Sequence, residues 1–284
     1  RKKKDAYYFY QALLGKKPFV AITSKAWTKR AGVADKEVGN VATQPITVVG
    51  NGKEVELFIN GTSLGKKVFD FTTATFNVPL QHGKNLVEVV SEKDGKTLKD
   101  FATIEFTLQP KNLKSETNPF KEVAVNVGST CYFIEAHNVD YLWMPDKGYE
   151  AGSFGYVGGE LLRHPSKRRN TIGTDVSVKG TKNDPIYQTQ IIGIEAYKFD
   201  VPNGTYELSL LMAELITKGE NIMDIEVNGK SIWSDVNLKK TYGSDRGVAK
   251  RFLITVENNQ GITVDFKAKK GKTRLSGIKL RKVN

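Results

Sequence analysis

The segment from Tyr141 to Glu160 (YLWMPDKGYEAGSFGYVGGE) is the part of the chain whose residue types best fit contact with a ligand. It holds five glycines and five aromatic residues, which are Tyr141, Trp143, Tyr149, Phe154 and Tyr156. No helical or strand period runs through it, so we expect an ordered loop. Aromatic rings on such a loop either bind a ligand or plug the end of a β-sandwich. The residues alone leave both interpretations open.

A carbohydrate is the ligand class that this mixture of rings and polar groups fits. The C–H face of a pyranose packs on an aromatic ring, and side-chain amides and carboxylates orient its hydroxyls. The candidate stacking residues are Trp143, Tyr149, Phe154, Tyr156 and Tyr187. The candidate polar partners are Asp146, Gln188, Gln190 and Asp235. We therefore predict a neutral glycan or oligosaccharide as the partner.

Catalytic signatures are missing from the sequence. It contains no H-E-x-x-H, Walker A or dinucleotide-binding glycine motif. Glycoside hydrolysis needs two carboxyl groups across a cleft, and nothing marks Asp146 and Glu150 as such a pair. We expect no catalysis by this chain.

Metal binding has weak support in the sequence. Cys131 is the single cysteine, which excludes both an intrachain disulfide and a thiolate zinc cluster. The three histidines (His82, His137 and His164) show no metal-ligand spacing. Oxygen-bearing side chains at Asp175, Asn183 and Asp184 could hold a structural calcium ion. No other cofactor is predicted.

Composition and charge narrow the class of protein. A chain of 284 residues is long enough for about two domains. The sequence contains no run of about 18 apolar residues, so it predicts no transmembrane helix. The net charge of +12 is divided equally between residues 1–110 and 111–284, without the aromatic interleaving of a nucleic-acid platform, so no nucleic-acid partner is expected. The first residues, RKKKD, do not form a signal peptide, and localisation stays open.

The elements that must position these residues are mostly strands. Residues 5–14 have helical spacing of apolar side chains and end before Gly15. Residues 18–108 contain about seven short alternating runs with turns at Asn51-Gly52, Asn60-Gly61 and Asp94-Gly95, which predict an immunoglobulin-like sandwich. Polar residues 109–121 form the predicted linker. Residues 122–284 predict a second, jelly-roll sandwich, with further turns at Asn203-Gly204 and Asn228-Gly229 and a long strand-poor insertion after Val127.

The second domain resembles the malectin type of carbohydrate-binding domain. The segments that carry the resemblance are VNVGS (125–129), WMPDKGY (143–149), GSFGYVGG (152–159), NDPIYQTQ (183–190), YKFDVPNGTYELSLLMAE (197–214) and VNGKSIW (227–233). Malectin binds glucose disaccharides with loop aromatics and one late aspartate. The resemblance places Trp143 at the aromatic three residues before the family's loop aspartate, which is Asp146 here, and places Asp235 near the late aspartate. Ile191 and Ile192 stand where the family has an aromatic residue, so binding has either shifted to Phe154 and Tyr156 or been lost.

The first domain resembles the immunoglobulin-like domain that follows the catalytic barrel in bacterial family 2 glycoside hydrolases of the β-galactosidase type. The segment VVGNGKEVELFINGTSLGKK (48–67) carries this resemblance. The opening RKKKDAYYFYQALLGKKPFV (1–20) resembles the last barrel helix and exit strand of such enzymes, with residues 1–17 as the remnant helix. The resemblance implies a C-terminal accessory region, separate from a catalytic domain with two glutamates, in a periplasmic or extracellular parent enzyme.

Two functions follow from these expectations. In the first, the chain is a non-catalytic region that targets or positions glycan substrate. In the second, it is a structural scaffold or oligomerisation region, and the aromatic loop packs on protein. Exposure discriminates them: open faces on Trp143, Tyr149 and Tyr156 favour sugar binding, and closed faces favour the scaffold.

Overall fold

The computed structural model describes residues 3–36, 39–135, 141–164, 171–215 and 219–283. His137 therefore lies outside the described residues. The chain divides into two compact units, residues 1–109 and 110–284. The predicted all-β fold class is confirmed, because strands dominate both units.

Helix α1 (Asp5–Leu14) begins the first unit, as its spacing predicts. Ala12 is buried and packs with Ala21 and Val49 of the following strands. Gly15 ends the helix, and its N–H donates to the carbonyl of Gln11. A ten-residue helix is marginal in water alone, so this packing is what stabilises it.

The first unit is a sandwich of two sheets. A three-stranded sheet has the order β1-β3-β6, and a five-stranded sheet has the order β2-β8-β7-β4-β5. The strand bounds are β1 (Val20–Ile22), β2 (Lys29–Val33), β3 (Val41–Gly50), β4 (Glu54–Ile59), β5 (Thr62–Val68), β6 (Thr73–Gln81), β7 (Gly83–Lys93) and β8 (Lys96–Gln109). Their alternate residues, such as Val55, Leu57 and Ile59 of β4, share one core with Val48 and Phe76 of the other sheet.

The second unit also has two large sheets. The six-stranded sheet has the order β10-β11-β9-β22-β16-β19, and the five-stranded sheet has the order β12-β15-β20-β17-β18. A small third sheet has the order β13-β14-β21. Alternate residues of both large sheets are buried, including Leu208 and Leu210 of β16 and Ile225 of β17, as a sandwich core requires.

The bounds of the elements in the second unit are as follows: β9 (Glu122–Asn126), β10 (Phe133–Ile134), β11 (Leu142–Pro145), β12 (Phe154–Val157), β13 (Glu160–Leu161), α2 (Asp184–Gln188), β14 (Ile191–Ile192), β15 (Ala196–Phe199), β16 (Gly204–Ala213), β17 (Ile222–Val227), β18 (Lys230–Val236), α3 (Leu238–Tyr242), β19 (Gly247–Val256), β20 (Ile262–Lys270), β21 (Arg274–Leu275) and β22 (Gly277–Val283). Across the described residues, no helix has the length and apolar character needed to cross a membrane.

The turn predictions divide into two groups. Asn60-Gly61, Asp94-Gly95 and Asn228-Gly229 each join paired strands with positive φ at both residues, which confirms them as hairpin turns. Asn51-Gly52 and Asn203-Gly204 instead connect strands that belong to different sheets, so the hairpin prediction is wrong there. Asn51, Gly52 and Asn203 do not have positive φ, so these two dipeptides do not form the type I′ turn that a two-residue hairpin needs.

The predicted linker is part of the second unit. Leu113 and Phe120 are buried, and the N–H of Leu113 donates to the carbonyl of Gly152. The polar composition of residues 109–121 hides these two anchors. Residues 110–121 therefore pack on the aromatic loop and do not form a solvent-exposed linker.

Candidate functional site: the aromatic loop and its neighbours

Trp143 lies inside the protein, contrary to its predicted role as an open stacking face. It is 3% exposed and belongs to β11, which pairs with β9 and β10. Its indole Nε1 donates to Glu135 Oε1 at 2.8 Å. The ring packs in a buried cluster with Ile186, Tyr187 and Leu211. A sugar could reach this ring only after the cluster had opened.

Phe154 and Tyr187 are also buried, so neither offers the ring face that the sequence predicts. Phe154 stacks on Phe199 of the paired strand β15, with ring centroids 6.2 Å apart. Tyr187 lies on α2 against Gly247, where a Cβ atom would stand 2.9 Å from its ring. Alternation along β12 and the docking of α2 on β16 turn these rings inward.

Asp146 holds the loop in place. Its Oδ2 accepts the N–H of Gly128 at 2.9 Å, and its Oδ1 accepts the Tyr197 hydroxyl at 3.0 Å and the N–H of Lys147 at 2.9 Å. Burial raises the pKa of the Asp146 carboxyl to about 6, against the lowering effect of these hydrogen bonds. Its lone pairs are occupied by protein groups rather than turned toward a ligand.

Tyr149 and Tyr156 form the half-open side of the loop. The Tyr149 N–H donates to the Tyr156 carbonyl at 2.9 Å, which holds the two backbones side by side. The Tyr149 hydroxyl donates to Asp200 Oδ2 at 2.8 Å, and the ammonium of Lys198 lies 5.1 Å from the Tyr149 ring. Burial, and then the Asp200 carboxylate, raise the pKa of Tyr149.

Gly155 makes this close pairing possible. Its φ is 153°, and a Cβ atom there would lie 2.6 Å from the backbone of Gly148 and of Tyr149. Only glycine lets the two arms of the loop approach this closely. The glycine content therefore reflects backbone packing within the loop itself.

The remaining predicted polar partners are scattered. Gln188 donates to the Val176 carbonyl at 2.9 Å, and the fully buried Gln190 donates to the Ala213 carbonyl and to Ser276. Asp235 lies on β18, at the opposite edge of the five-stranded sheet from β12. Four strand spacings put it roughly 19 Å from the aromatic loop. Its carboxylate pairs with Lys269 at 2.7 Å, so one site cannot hold both Asp235 and Tyr156.

The three candidate calcium ligands have different neighbours. Asp175 pairs with His164 Nε2 at 3.0 Å, and Asp184 accepts the N–H of Val178 at 3.0 Å. Within the described residues, no group of three or more His, Cys, Asp or Glu side chains could hold a metal ion. A calcium site that also uses Asn183 stays a prediction.

Sequence reasoning missed an aromatic pair on the far side of the sandwich. Trp233 of β18 and Tyr242 at the end of α3 are both half-exposed, and the ammonium of Lys250 lies 5.6 Å and 6.0 Å from their ring centroids. The two rings are nine positions apart in sequence, so no local cluster marks them. A signal did exist: residues 230–251 contain six Lys and Arg but only two acidic residues.

Comparison with known proteins defines the class to which this sandwich belongs. A family model described as the malectin domain matches residues 121–280, and a domain of unknown function, DUF4982, matches residues 42–99. The chain belongs to the malectin domain family. The carbohydrate-binding-type domain expected from the motifs is thus confirmed.

The most informative relatives are β-glucuronidases. The chain is 34% identical to a Bacteroides uniformis β-glucuronidase of known structure, with a TM-score of 0.89, covering 100% of this chain and 32% of that one. The structure of B. uniformis β-glucuronidase 2 bound to cyclophellitol-6-carboxylate aziridine gives 35% identity and a TM-score of 0.89. A Formosa agariphila protein provisionally named a β-glucuronidase is 39% identical over 109 residues.

These relatives are much longer than this chain. The chain spans about a third of the solved structure's chain and 12% of the Formosa protein. It corresponds to their C-terminal β domains, without the catalytic domain, as the resemblance to family 2 glycoside hydrolases implied. The names of these relatives point to β-glucuronidase, whereas the resemblance implied a β-galactosidase-like parent.

Proposed function

We propose that this chain is the carbohydrate-binding accessory region of a β-glucuronidase-like glycoside hydrolase and that it targets or positions glycan substrate. The observation that carries the proposal is a malectin domain within a whole-chain match to a β-glucuronidase. Glycan binding by the accessory region raises the local concentration of substrate near a linked catalytic domain.

The half-open side of the loop is the place for a neutral sugar. Tyr149 and Tyr156 retain solvent access, whereas Trp143 and Phe154 do not. The Asp200 carboxylate and the Lys198 ammonium lie beside Tyr149 and can orient hydroxyl groups. A partly exposed site of this kind fits weak binding, in the millimolar to micromolar range of about −4 to −8 kcal/mol.

A specific observation favours the second function, a structural scaffold. The rings of Trp143, Phe154 and Tyr187 are closed against the chain's own core, which is the outcome expected of a plug. On this alternative the domain supports a catalytic domain or a subunit interface and binds no sugar.

Titration of the 284-residue chain with neutral glucose and galactose oligosaccharides separates the two functions. We expect saturable binding by calorimetry and its loss in Tyr156→Ala. Tyr10→Ala, which removes a ring that is 59% exposed on α1, is the matched control and should bind as the parent chain does. Absence of heat and of spectral change across the panel would refute sugar binding and leave the scaffold.

The proposed partner of α1 is the catalytic domain of the parent enzyme. Tyr10 and Leu14 are 59% and 74% exposed on the side of the helix away from Ala12. Exposed apolar side chains grouped on one short helix mark an interaction surface, and the relatives are long enough to supply a domain to cover it. We place this enzyme in the periplasm or outside the cell, where polymeric glycans occur.

A further inference from the structure

The exposed edge of the second sandwich carries two aromatic rings around one ammonium group. β18 is the last strand of the five-stranded sheet, and β19 is the last strand of the six-stranded sheet. Lys250 of β19 reaches over Trp233 of β18 and Tyr242 of α3. We call these three residues the edge cluster.

From this cluster we propose a second glycan subsite, selective for a sugar that carries a carboxylate, such as a hexuronic acid residue. The inference rests on the proposed glycan-binding function and names a substrate class for it. In the subsite, the Trp233 ring packs on the C–H face of the pyranose, and Lys250 binds the carboxylate.

The state of Lys250 is the first argument. Among the described residues its ammonium has no carboxylate partner, and it stands 5.6 Å from the Trp233 ring centroid. Lys279 shows what a self-contained arrangement looks like. Its ammonium lies 3.7 Å from the Tyr141 ring, with Glu122 Oε2 3.8 Å away. The Lys250 ammonium thus contacts aromatic rings, and no carboxylate among the described residues balances its charge.

The local charge is the second argument. The segment from Lys230 to Arg251 has a formal charge of +4, a third of the net charge of the chain in 22 residues. Asp235, one of its two acidic residues, already pairs with Lys269. A segment with this positive excess favours an anionic ligand over a neutral one.

The groups beside Trp233 are the third argument. The Ser231 and Ser234 hydroxyls flank it in sequence on an exposed part of β18 and lie 2.8 Å from each other. The Trp233 indole N–H has no protein acceptor among the described residues. A sugar offers both a flat apolar face and hydroxyl groups, and this surface matches both.

The shape of β18 disfavours a protein strand as the occupant. Its pairing with β17 shifts register on both sides of Ile225, the partner of Trp233. Bulges of this kind twist an edge strand and block pairing with another chain. The edge therefore presents side chains, not a regular row of backbone hydrogen-bonding groups.

Nuclear magnetic resonance on the 284-residue chain tests the proposal. The chain has three tryptophans, so the indole N–H signals of Trp27, Trp143 and Trp233 report separately. The probes are a glucuronic acid-containing tetrasaccharide and a glucose tetrasaccharide of the same linkage. We expect the acidic probe alone to shift the Trp233 signal in a saturable way. Added salt should weaken this binding, because the contact between the Lys250 ammonium and the probe's carboxylate is exposed.

Variants then assign the contact. Lys250→Gln should weaken acidic-probe binding by about tenfold, since it removes one charge-assisted hydrogen bond. Lys267→Gln is the matched control, because Lys267 is exposed on the same sandwich and pairs with Glu226. Trp233→Phe keeps an aromatic ring over the edge and should fold normally with intermediate affinity.

The outcomes separate this inference from the proposed function. An unmoved Trp233 signal, or equal binding by Lys250→Gln and Lys267→Gln, would overturn the subsite. If Tyr156-dependent binding of neutral sugar persisted in that case, the proposed function would stand. Unmoved tryptophan signals with both probes, together with no heat in the calorimetric titrations, would refute both.

Discussion

The aromatic loop and the edge cluster present their rings in opposite ways. The loop gathers five aromatic residues within 20 positions, yet Trp143 and Phe154 are buried beneath its backbone. The edge cluster has two aromatic residues from separate elements, and both are half-exposed. A high density of aromatic residues along the chain thus indicates rings that pack inside the domain. Ligand access depends on which strand edge a ring occupies.

The two regions also differ in how their charges are satisfied. Asp146 in the loop is half-buried and accepts three hydrogen bonds from the chain itself. Lys250 at the edge has aromatic faces and no described carboxylate partner. The acceptor sites of Asp146 are taken by the chain itself, whereas the exposed Lys250 ammonium is available to bind a ligand.

The largest expected difference is in stability. Trp143→Ala should lower the free energy of unfolding by about 3–5 kcal/mol, because it leaves a cavity and an unpaired Glu135. Trp233→Ala removes a half-exposed ring and should cost about 1 kcal/mol. Urea unfolding of both variants measures the two losses in free energy of unfolding, and equal losses would contradict the difference between the buried and the half-exposed ring.

The second-largest expected effect is a pH dependence of the free energy of unfolding, caused by the Asp146 carboxyl. Its pKa is raised from 3.8 to about 6 on folding, so the folded state favours the protonated form. This contribution is fully present below about pH 4 and is lost as the pH rises through 6, with a change of roughly 2–3 kcal/mol. Asp146→Asn should remove that part of the slope. Unfolding at pH 4 and at pH 7 measures it, and parallel profiles for both proteins would contradict the buried environment.

Removal of the Tyr149 hydroxyl is a smaller test of the half-open side. Tyr149→Phe deletes the hydrogen bond to Asp200 and should lower the free energy of unfolding by about 1 kcal/mol. Asp200 still accepts the N–H of Gly152 in this variant, so the loop should keep its shape. A loss as large as that of Trp143→Ala would mean that Tyr149 belongs to the core as well.

The smallest expected effect concerns α1. Tyr10→Ser should change the stability of the 284-residue chain by less than about 0.5 kcal/mol, because the ring contacts little in this part of the protein. In the longer parent enzyme the same change should be destabilising. Thermal unfolding of both lengths provides the comparison, and an equal effect in the two would remove the proposed contact with the catalytic domain.

The sequence predicts the architecture better than the site for a physical reason. Period-two burial marks strands such as β4 and β7, and the positive-φ turn Asn60-Gly61 joins β4 to β5, so local chemistry is enough to identify them. Short strands such as β11 and β12 leave no period, and the loop that contains them therefore looks irregular.

The site depends on contacts between distant residues. Asp146 and Tyr197, or Trp233 and Lys250, come together only through sheet order, which no local pattern encodes. The predicted site that combines Tyr156 with Asp235 is wrong for the same reason, since β12 and β18 lie at opposite edges of the five-stranded sheet.

Hydrogen exchange at the three indole N–H groups in the free chain tests the central contrast most directly. We predict slow exchange at Trp143, whose indole is buried and bonded to Glu135, and fast exchange at Trp233, whose indole has no protein acceptor among the described residues. Fast exchange at Trp143 with protection at Trp233 would contradict this contrast and would mean that the aromatic loop, not the edge cluster, presents the accessible ring.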